Sequence, residues 1–138
     1  MTPVDDNEND EANNDVVTGT ISLFGTLACT LLDFGVTYSF IYALYAKICH
    51  VSTQPLGQDL LVQTSGGERI ACNKVVMNYP IMINDRVHPT NLIVLKTLGY
   101  DILLGMDWLA KYYACINCRE KEVIFHLPGV EEFRFHGT

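Results

Sequence analysis

Apolar and polar positions are unevenly spread along this chain. Residues 1–15 are dominated by Asn, Asp and Glu, with almost no apolar side chains. They predict a disordered acidic linker, because such a composition cannot bury enough surface to offset its ordering entropy. From residue 16 onward, short apolar runs alternate with turn residues, the layout of an all-β domain. Residues 17–23 and 26–32 predict two strands across Gly25. Residues 59–64 and 69–77 predict a hairpin through Ser65-Gly66-Gly67-Glu68, since a Gly-Gly pair between two strand-like runs favours a tight turn. Residues 81–83 and 87–95 pair around Asn84-Asp85. Leu98-Gly99-Tyr100 then turns the chain into residues 101–104. Residues 115–118, 122–126 and 131–135 complete the strands, with Pro128-Gly129 as a turn.

Two segments change period. Apolar residues at 40, 41, 44, 45 and 48 predict a helix over 39–48 with Ser39 as its cap, and residues 105–113 predict a short second one. The Tyr and Phe side chains of residues 38–45 are assigned to packing along a helix face, and Trp108, the sole tryptophan, to a core anchor. The expected fold class is therefore all-β with one or two short helices, in a single domain over residues 16–138.

Composition refines this picture. With 138 residues, 49% of them apolar, and a mean hydropathy of +0.15, the chain can bury a core without disulfides. Its net charge of −7 belongs to the tail. Asp5, Asp6, Glu8, Asp10, Glu11 and Asp15 lie in residues 1–15 with no Lys or Arg, leaving ten acids against nine bases elsewhere. The bases are scattered singly, which argues against a nucleic-acid partner. The most apolar run, residues 20–32, is shorter than the roughly 20 residues that cross a bilayer, so no membrane partner is expected. The acidic, polar N-terminus lacks the pattern of a secretory leader. An intracellular, cytoplasmic setting follows, with Cys29, Cys49, Cys72, Cys115 and Cys118 as free thiols. Cys115-Ile116-Asn117-Cys118 has CxxC spacing but no second pair, and is read as strand thiols on or near a core. His50, His88, His126 and His136 show no ligand spacing. No metal or cofactor is called for.

Chemistry concentrates in Leu31-Leu32-Asp33-Phe34-Gly35-Val36-Thr37, which ends an apolar strand in one carboxylate on a tight glycine loop. Later, Ile102-Leu103-Leu104 ends in Gly105. Peptide hydrolysis by carboxylates needs two of them sharing one proton, since like charges at close range do not both ionise. Asp101 and Asp107 flank the later run, yet neither is followed by x-Gly. Symmetry is the simpler source: Asp33 of one subunit meets Asp33 of a second across a two-fold axis. Taken alone, an Asp-x-Gly is more often a capped turn. Here the neighbouring segments outweigh that.

Four segments carry a family resemblance: residues 32–41, the hairpin tip Thr64-Ser65-Gly66-Gly67-Glu68, Asn91-Leu92-Ile93-Val94-Leu95, and the specific run of residues 99–109. Over residues 16–135 the chain resembles a retropepsin, the protease domain of plant Gypsy-type (Ty3-like) retrotransposon polyproteins. The resemblance implies a closed β-barrel with one lobe per chain, working as a homodimer. It implies an aspartic endopeptidase with Asp33 catalytic and Phe34, Gly35, Val36 and Thr37 forming its loop. Ser65, Gly66, Gly67 and Glu68 would be a mobile flap, and Ile102, Leu103, Leu104 and Gly105 would back the catalytic strand. The implied substrate is the parent polyprotein, cut at extended, apolar-flanked bonds, within retrotransposon particles; the end at Thr138 fits an excised fragment.

Phe34 departs from the family, which has Ser or Thr there with a hydroxyl that bonds across the dimer. Losing that bond costs about 1–3 kcal/mol per group left unsatisfied, and overpacking the loop about as much again. The competing expectation is an impaired or inactive retropepsin-fold module that dimerises or clasps extended peptides. A third is a monomer that does neither. Asp33-Phe34-Gly35 also spells a kinase magnesium signature, but no glycine-rich loop or catalytic-loop His-Arg-Asp accompanies it.

Overall fold

The computed structural model describes residues 16–23, 26–64, 66–117 and 119–138. The acidic segment 1–15, the Gly25 turn, Ser65 of the hairpin tip and Cys118 lie outside these. Ten strands and two short helices make up the described residues: β1 Val16–Leu23, β2 Thr26–Asp33, β3 Phe40–Tyr42, α1 Ala43–Ile48, β4 Gln54–Gln63, β5 Arg69–Ile83, β6 Arg86–Leu95, β7 Ile102–Leu104, α2 Met106–Lys111, β8 Ala114–Asn117, β9 Glu122–Phe125 and β10 Phe133–His136. Seven strands form one sheet in the order β1-β2-β7-β3-β6-β5-β4, and β10-β9-β8 form a second.

The central strands explain why the sequence there is almost unbrokenly apolar. β7 lies parallel to β2, with Leu31 opposite Leu103 and Leu32 opposite Leu104, and antiparallel to β3. Successive side chains point to opposite faces. Leu32, Leu104 and Ile41 enter the main core, while Phe40 and Leu103, with Leu31 against them, join a smaller cluster on the other face. Strands covered on both faces have no polar side to show.

The expected closed barrel is not what forms. The large sheet is open, ending at β1 on one side and β4 on the other. The outer edge of β1 is occupied instead by the chain's last residues. The Thr138 N–H donates to the Thr18 carbonyl at 2.9 Å, and the Gly137 N–H donates to Lys121 at 2.7 Å. A Cβ on Gly137 would stand 2.7 Å from Val17 Cγ1. These contacts lie along β1, whose outer side pairs with no strand among the described residues, so the sheet stays open there.

Three further departures have local causes. Residues 40–42 are strand, not helix: Phe40 and Ile41 pair with β7, and Phe40, Ile41 and Tyr42 with β6. Sheet pairing on both sides overrides a helical period carried by few residues, so only Ala43–Ile48 coils. The expected break at residues 78–80 is a β-bulge inside one long β5. Asn78 has φ +52°, the register shifts between Val76 and Tyr79, and the Asn78 N–H bonds Asn91 Oδ1 at 2.9 Å. Two residues facing one keep the ladder going beyond the irregularity. β4 starts at Gln54, ahead of the expected 59, because Pro55 and Gly57 sit at an irregular stretch that the edge of a sheet tolerates. Asn84 and Asp85, with φ +56° and +59°, make the turn between β5 and β6, as a two-residue hairpin requires.

α2 and the small sheet close the main core. Trp108 and Phe125 are fully buried, with ring centroids 5.6 Å apart. His88 joins them at 6% exposure, 5.0 Å from the Tyr112 ring and 5.3 Å from Phe133. Its Nδ1 has no hydrogen-bond partner among the described residues. Burial pushes the His88 imidazole down from its ordinary value, so the folded ring stays neutral where the unfolded one takes a proton. Stability is then full above the unfolded pKa of about 6.5 and falls as pH drops below it toward the folded value. His88→Phe is expected to flatten this loss between pH 7 and 5, read as denaturant midpoints. An unchanged slope would show that another group sets it.

The thiols divide by position. Cys72 is buried, and burial pushes its thiol up, which keeps it unreactive. Cys115 is exposed, so that residue of the CxxC faces outward from β8, contrary to the expected core position. Ala114 and Ile116 take the core-facing side of β8 beside Phe125 and Val123, which leaves Cys115 on the other face with Ile124 and Arg134.

Candidate active site

Asp33 is the last residue of β2, paired opposite Val16, and is partly buried. β2 is locked between β1 and β7, so the carboxylate leaves a rigid strand rather than a free loop. The chain reverses at once. The Gly35 N–H donates to Asp33 Oδ1 at 2.8 Å. A Cβ at Gly35 would stand 3.3 Å from that same oxygen, so glycine leaves room for the carboxylate. Phe34 is half-buried, its ring packed against the main core of its own chain. Val36 packs on the smaller cluster, and Thr37 is exposed.

The loop rests on the segment after β7. Its carbonyls at Val36 and Thr37 accept the N–H groups of Met106 at 2.7 Å and Asp107 at 3.0 Å. Gly105 permits this approach. A Cβ there would collide with the Tyr38 carbonyl oxygen and lie 2.7 Å from that of Val36. Ile102, Leu103 and Leu104 run beside β2 underneath, so these apolar residues and the glycine after them do two jobs: three hold the strand, and one admits the loop.

The hairpin of β4 and β5 arches toward the same place. Its tip closes through a Thr64 N–H to the Glu68 carbonyl at 2.8 Å and a Gly67 N–H to Thr64 at 3.0 Å, with Gly67 at φ +86°. Val62, Gln63 and Thr64 line a cleft of about 340 Å³ together with Asp33 and Val36. An adjoining hollow of about 300 Å³ is lined by Gly35, Val36 and Thr37 on one side and Leu60 to Gln63 on the other. The stem of the hairpin therefore shares the cleft with Asp33. Gly66, Gly67 and Glu68 stand exposed at the tip and do not line it. Leu95, Thr97 and Leu98 complete its far wall; Leu95 ends a segment of the family resemblance and Leu98 begins a turn, but only the β3–β6 pairing shows that they line the cleft.

Neither of the other candidate carboxylates is available. Asp101 Oδ2 accepts the Cys29 N–H at 2.8 Å, and its backbone exchanges bonds with Cys29 and Tyr42. Asp107 Oδ1 accepts the Ser39 hydroxyl at 2.6 Å and the Trp108 N–H at 2.7 Å. A somewhat larger hollow, about 380 Å³, lies beside α1 and is lined by Cys49, Val51 and Tyr79 among others, with no carboxylate. Burial pushes the Tyr79 hydroxyl up, and burial with a hydrogen bond to Cys49 does the same for Tyr45. These groups stay protonated and offer no base. Asp33 is the candidate carboxylate in the cleft beneath the hairpin.

A strand-end aspartate with an x-Gly turn, seated on a Gly-terminated parallel strand and faced by a hairpin, defines a retropepsin-like aspartic protease domain. The chain belongs to the retroviral aspartyl protease family, whose model matches residues 3–129. The fold is shared with the retroviral protease-like domain of Ddi1 from Leishmania major, at a TM-score of 0.59 and 14% identity over 80% of this chain and 83% of that one. Among curated proteins no sequence matches significantly.

Proposed function

We propose that this domain is an aspartic endopeptidase that works as a homodimer, each subunit supplying Asp33. The observation that carries it is the Asp33 carboxylate, bonded by the Gly35 amide, in a cleft it shares with the β4–β5 hairpin while Asp101 and Asp107 are engaged elsewhere. A single carboxylate cannot be both the base that activates water and the acid that protonates the scissile carbonyl. Paired across a two-fold axis, one Asp33 is ionised and its mate holds the proton, the established chemistry of aspartic proteases as a class. The apolar side chains of Val36, Val62 and Leu98 suit an extended, apolar-flanked peptide. We assign the substrate as a retrotransposon polyprotein containing this domain, of the plant Gypsy type, processed in the cytoplasm within particles.

A second function has its own observation. Phe34 brings no hydroxyl to the loop, and its ring lies against its own subunit's core. In a dimer of the family's kind, the two cross-subunit hydrogen bonds of that hydroxyl would be absent. An impaired protease, or a module that only dimerises or binds peptide, follows if those bonds are required. Phe34→Ser separates the two. On the endopeptidase reading it tightens the dimer at least about tenfold, from roughly 1–3 kcal/mol per restored bond, and raises turnover that the native chain already shows. Native silence with activity gained in Phe34→Ser would establish the impaired protease. Sedimentation across a concentration series, with a peptide-cleavage assay at acid to neutral pH, reads both.

A further inference from the structure

Ser39 is completely buried, yet no step of hydrolysis uses it. Its Oγ accepts the Gly105 N–H at 3.0 Å and donates to Asp107 Oδ1 at 2.6 Å. That O···O distance is in the range of a hydroxyl bonded to an ionised carboxylate. The same Oδ1 accepts the Trp108 N–H at 2.7 Å. The Ser39 carbonyl accepts the Ile93 N–H at 2.9 Å. A buried hydroxyl held from both sides is an expensive way to fill space that alanine would fill, since each group left unpaired there is costly.

We propose that Ser39 and Asp107 act as a positioning pair for the loop that carries Asp33. Asp107 orients the Ser39 hydroxyl, and Ser39 in turn receives the Gly105 amide. The segment 105–107 is thereby held where the Met106 and Asp107 amides meet the Val36 and Thr37 carbonyls. One end of the loop is fixed by β2, the other by this clamp, and Gly105 leaves no slack between them. A dyad formed by two such loops inherits the error of each, and a misplacement of about 1 Å costs on the order of a hundredfold in rate. The catalytic consequence rests on Asp33 being the reactive carboxylate; the positioning of the loop does not.

The test uses Ser39→Ala, Asp107→Ala, the double variant and the conservative Asp107→Asn, whose Oδ1 still accepts both bonds. Two readouts are taken on the whole chain: amide hydrogen exchange and peptide cleavage. The Gly35, Met106 and Asp107 amides are the reporters, because their acceptors remain in every Ser39 variant. Expected are exchange at least about tenfold faster at these amides in Ser39→Ala and Asp107→Ala, unchanged exchange in the β5–β6 ladder, and near-native behaviour in Asp107→Asn. The double variant should be no worse than either single one, as for two groups acting as a unit. In cleavage, kcat should fall by about a hundredfold with KM little changed. Uniform acceleration across the domain, unchanged loop amides, or additive single effects would overturn the positioning role. If every variant and the native chain fail to cleave, the exchange pattern alone decides it, and the loss falls on the endopeptidase reading instead.

Discussion

Asp33→Asn is expected to abolish peptide cleavage, lowering turnover by about a thousandfold or more while leaving the fold intact. The substitution is isosteric, and the asparagine Oδ1 can still accept the Gly35 N–H that Asp33 accepts at 2.8 Å. Strand β2 keeps its pairings with β1 and β7. What disappears is the proton that two carboxylates share, and with it the base that activates water. Positioned acid–base groups contribute about a hundred- to ten-thousandfold each, and the variant dimer loses both. Thermal unfolding should shift little, because Asp33 sits at the rim of the core rather than in it. Cleavage that survived the change would place the chemistry elsewhere.

The largest effect on stability is expected at Trp108. It is fully buried at the centre of the main core, with Tyr112 and Phe125 at ring-centroid distances of 5.3 and 5.6 Å. Its Nε1–H donates to the His88 carbonyl at 3.0 Å. Trp108→Ala removes a large ring from a site walled by two strands systems and leaves that carbonyl without its donor. Such truncations cost about 3–5 kcal/mol, against a total of roughly 5–15 kcal/mol for a domain. The N–H that bonds Asp107 Oδ1 belongs to the backbone of residue 108 and is kept in this variant. Trp108→Phe keeps most of the volume but loses the N–H donor, and should cost clearly less. Denaturant midpoints of the three proteins check this. A loss below about 1 kcal/mol in the alanine variant would mean that the core is not organised around this ring.

Much of the candidate site's local geometry was legible because a turn around a carboxylate leaves marks in the local sequence. Asp33 and Gly35 are separated by one residue, so a turn that bonds the carboxylate can be read from three positions. The apolar run ending at Gly105 announces a strand buried on both faces, and Asn84-Asp85 announces the turn between β5 and β6. Features made by distant pairing left no such mark. Residues 40–42 carry a helical period, and only the presence of β6 and β7 on either side makes them a strand. Asn78 and Pro80 look like an ending, although β5 runs on through the bulge at Asn78 and pairs again at Pro80. Ser39 looked like a helix cap because a serine before an apolar period is one; its bonds run instead to Gly105 and Asp107, far along the chain. Glycines mark the hairpin tip, whereas Val62 and Gln63 of the stem, with Thr64 at the base of the tip, share the cleft with Asp33. Barrel closure depends on where β1 and β4 end up in space, and the run of strands alone does not determine that.

The most direct measurement mixes the native chain, held at a fixed amount, with increasing Asp33→Asn protein and follows peptide cleavage after subunit exchange. If one active site needs Asp33 from two subunits, mixed dimers are dead. Activity then falls to about half at equal amounts and continues toward zero in excess variant, as statistical pairing of subunits requires. Activity that stayed constant as the variant was added would contradict the shared site and make each chain its own enzyme.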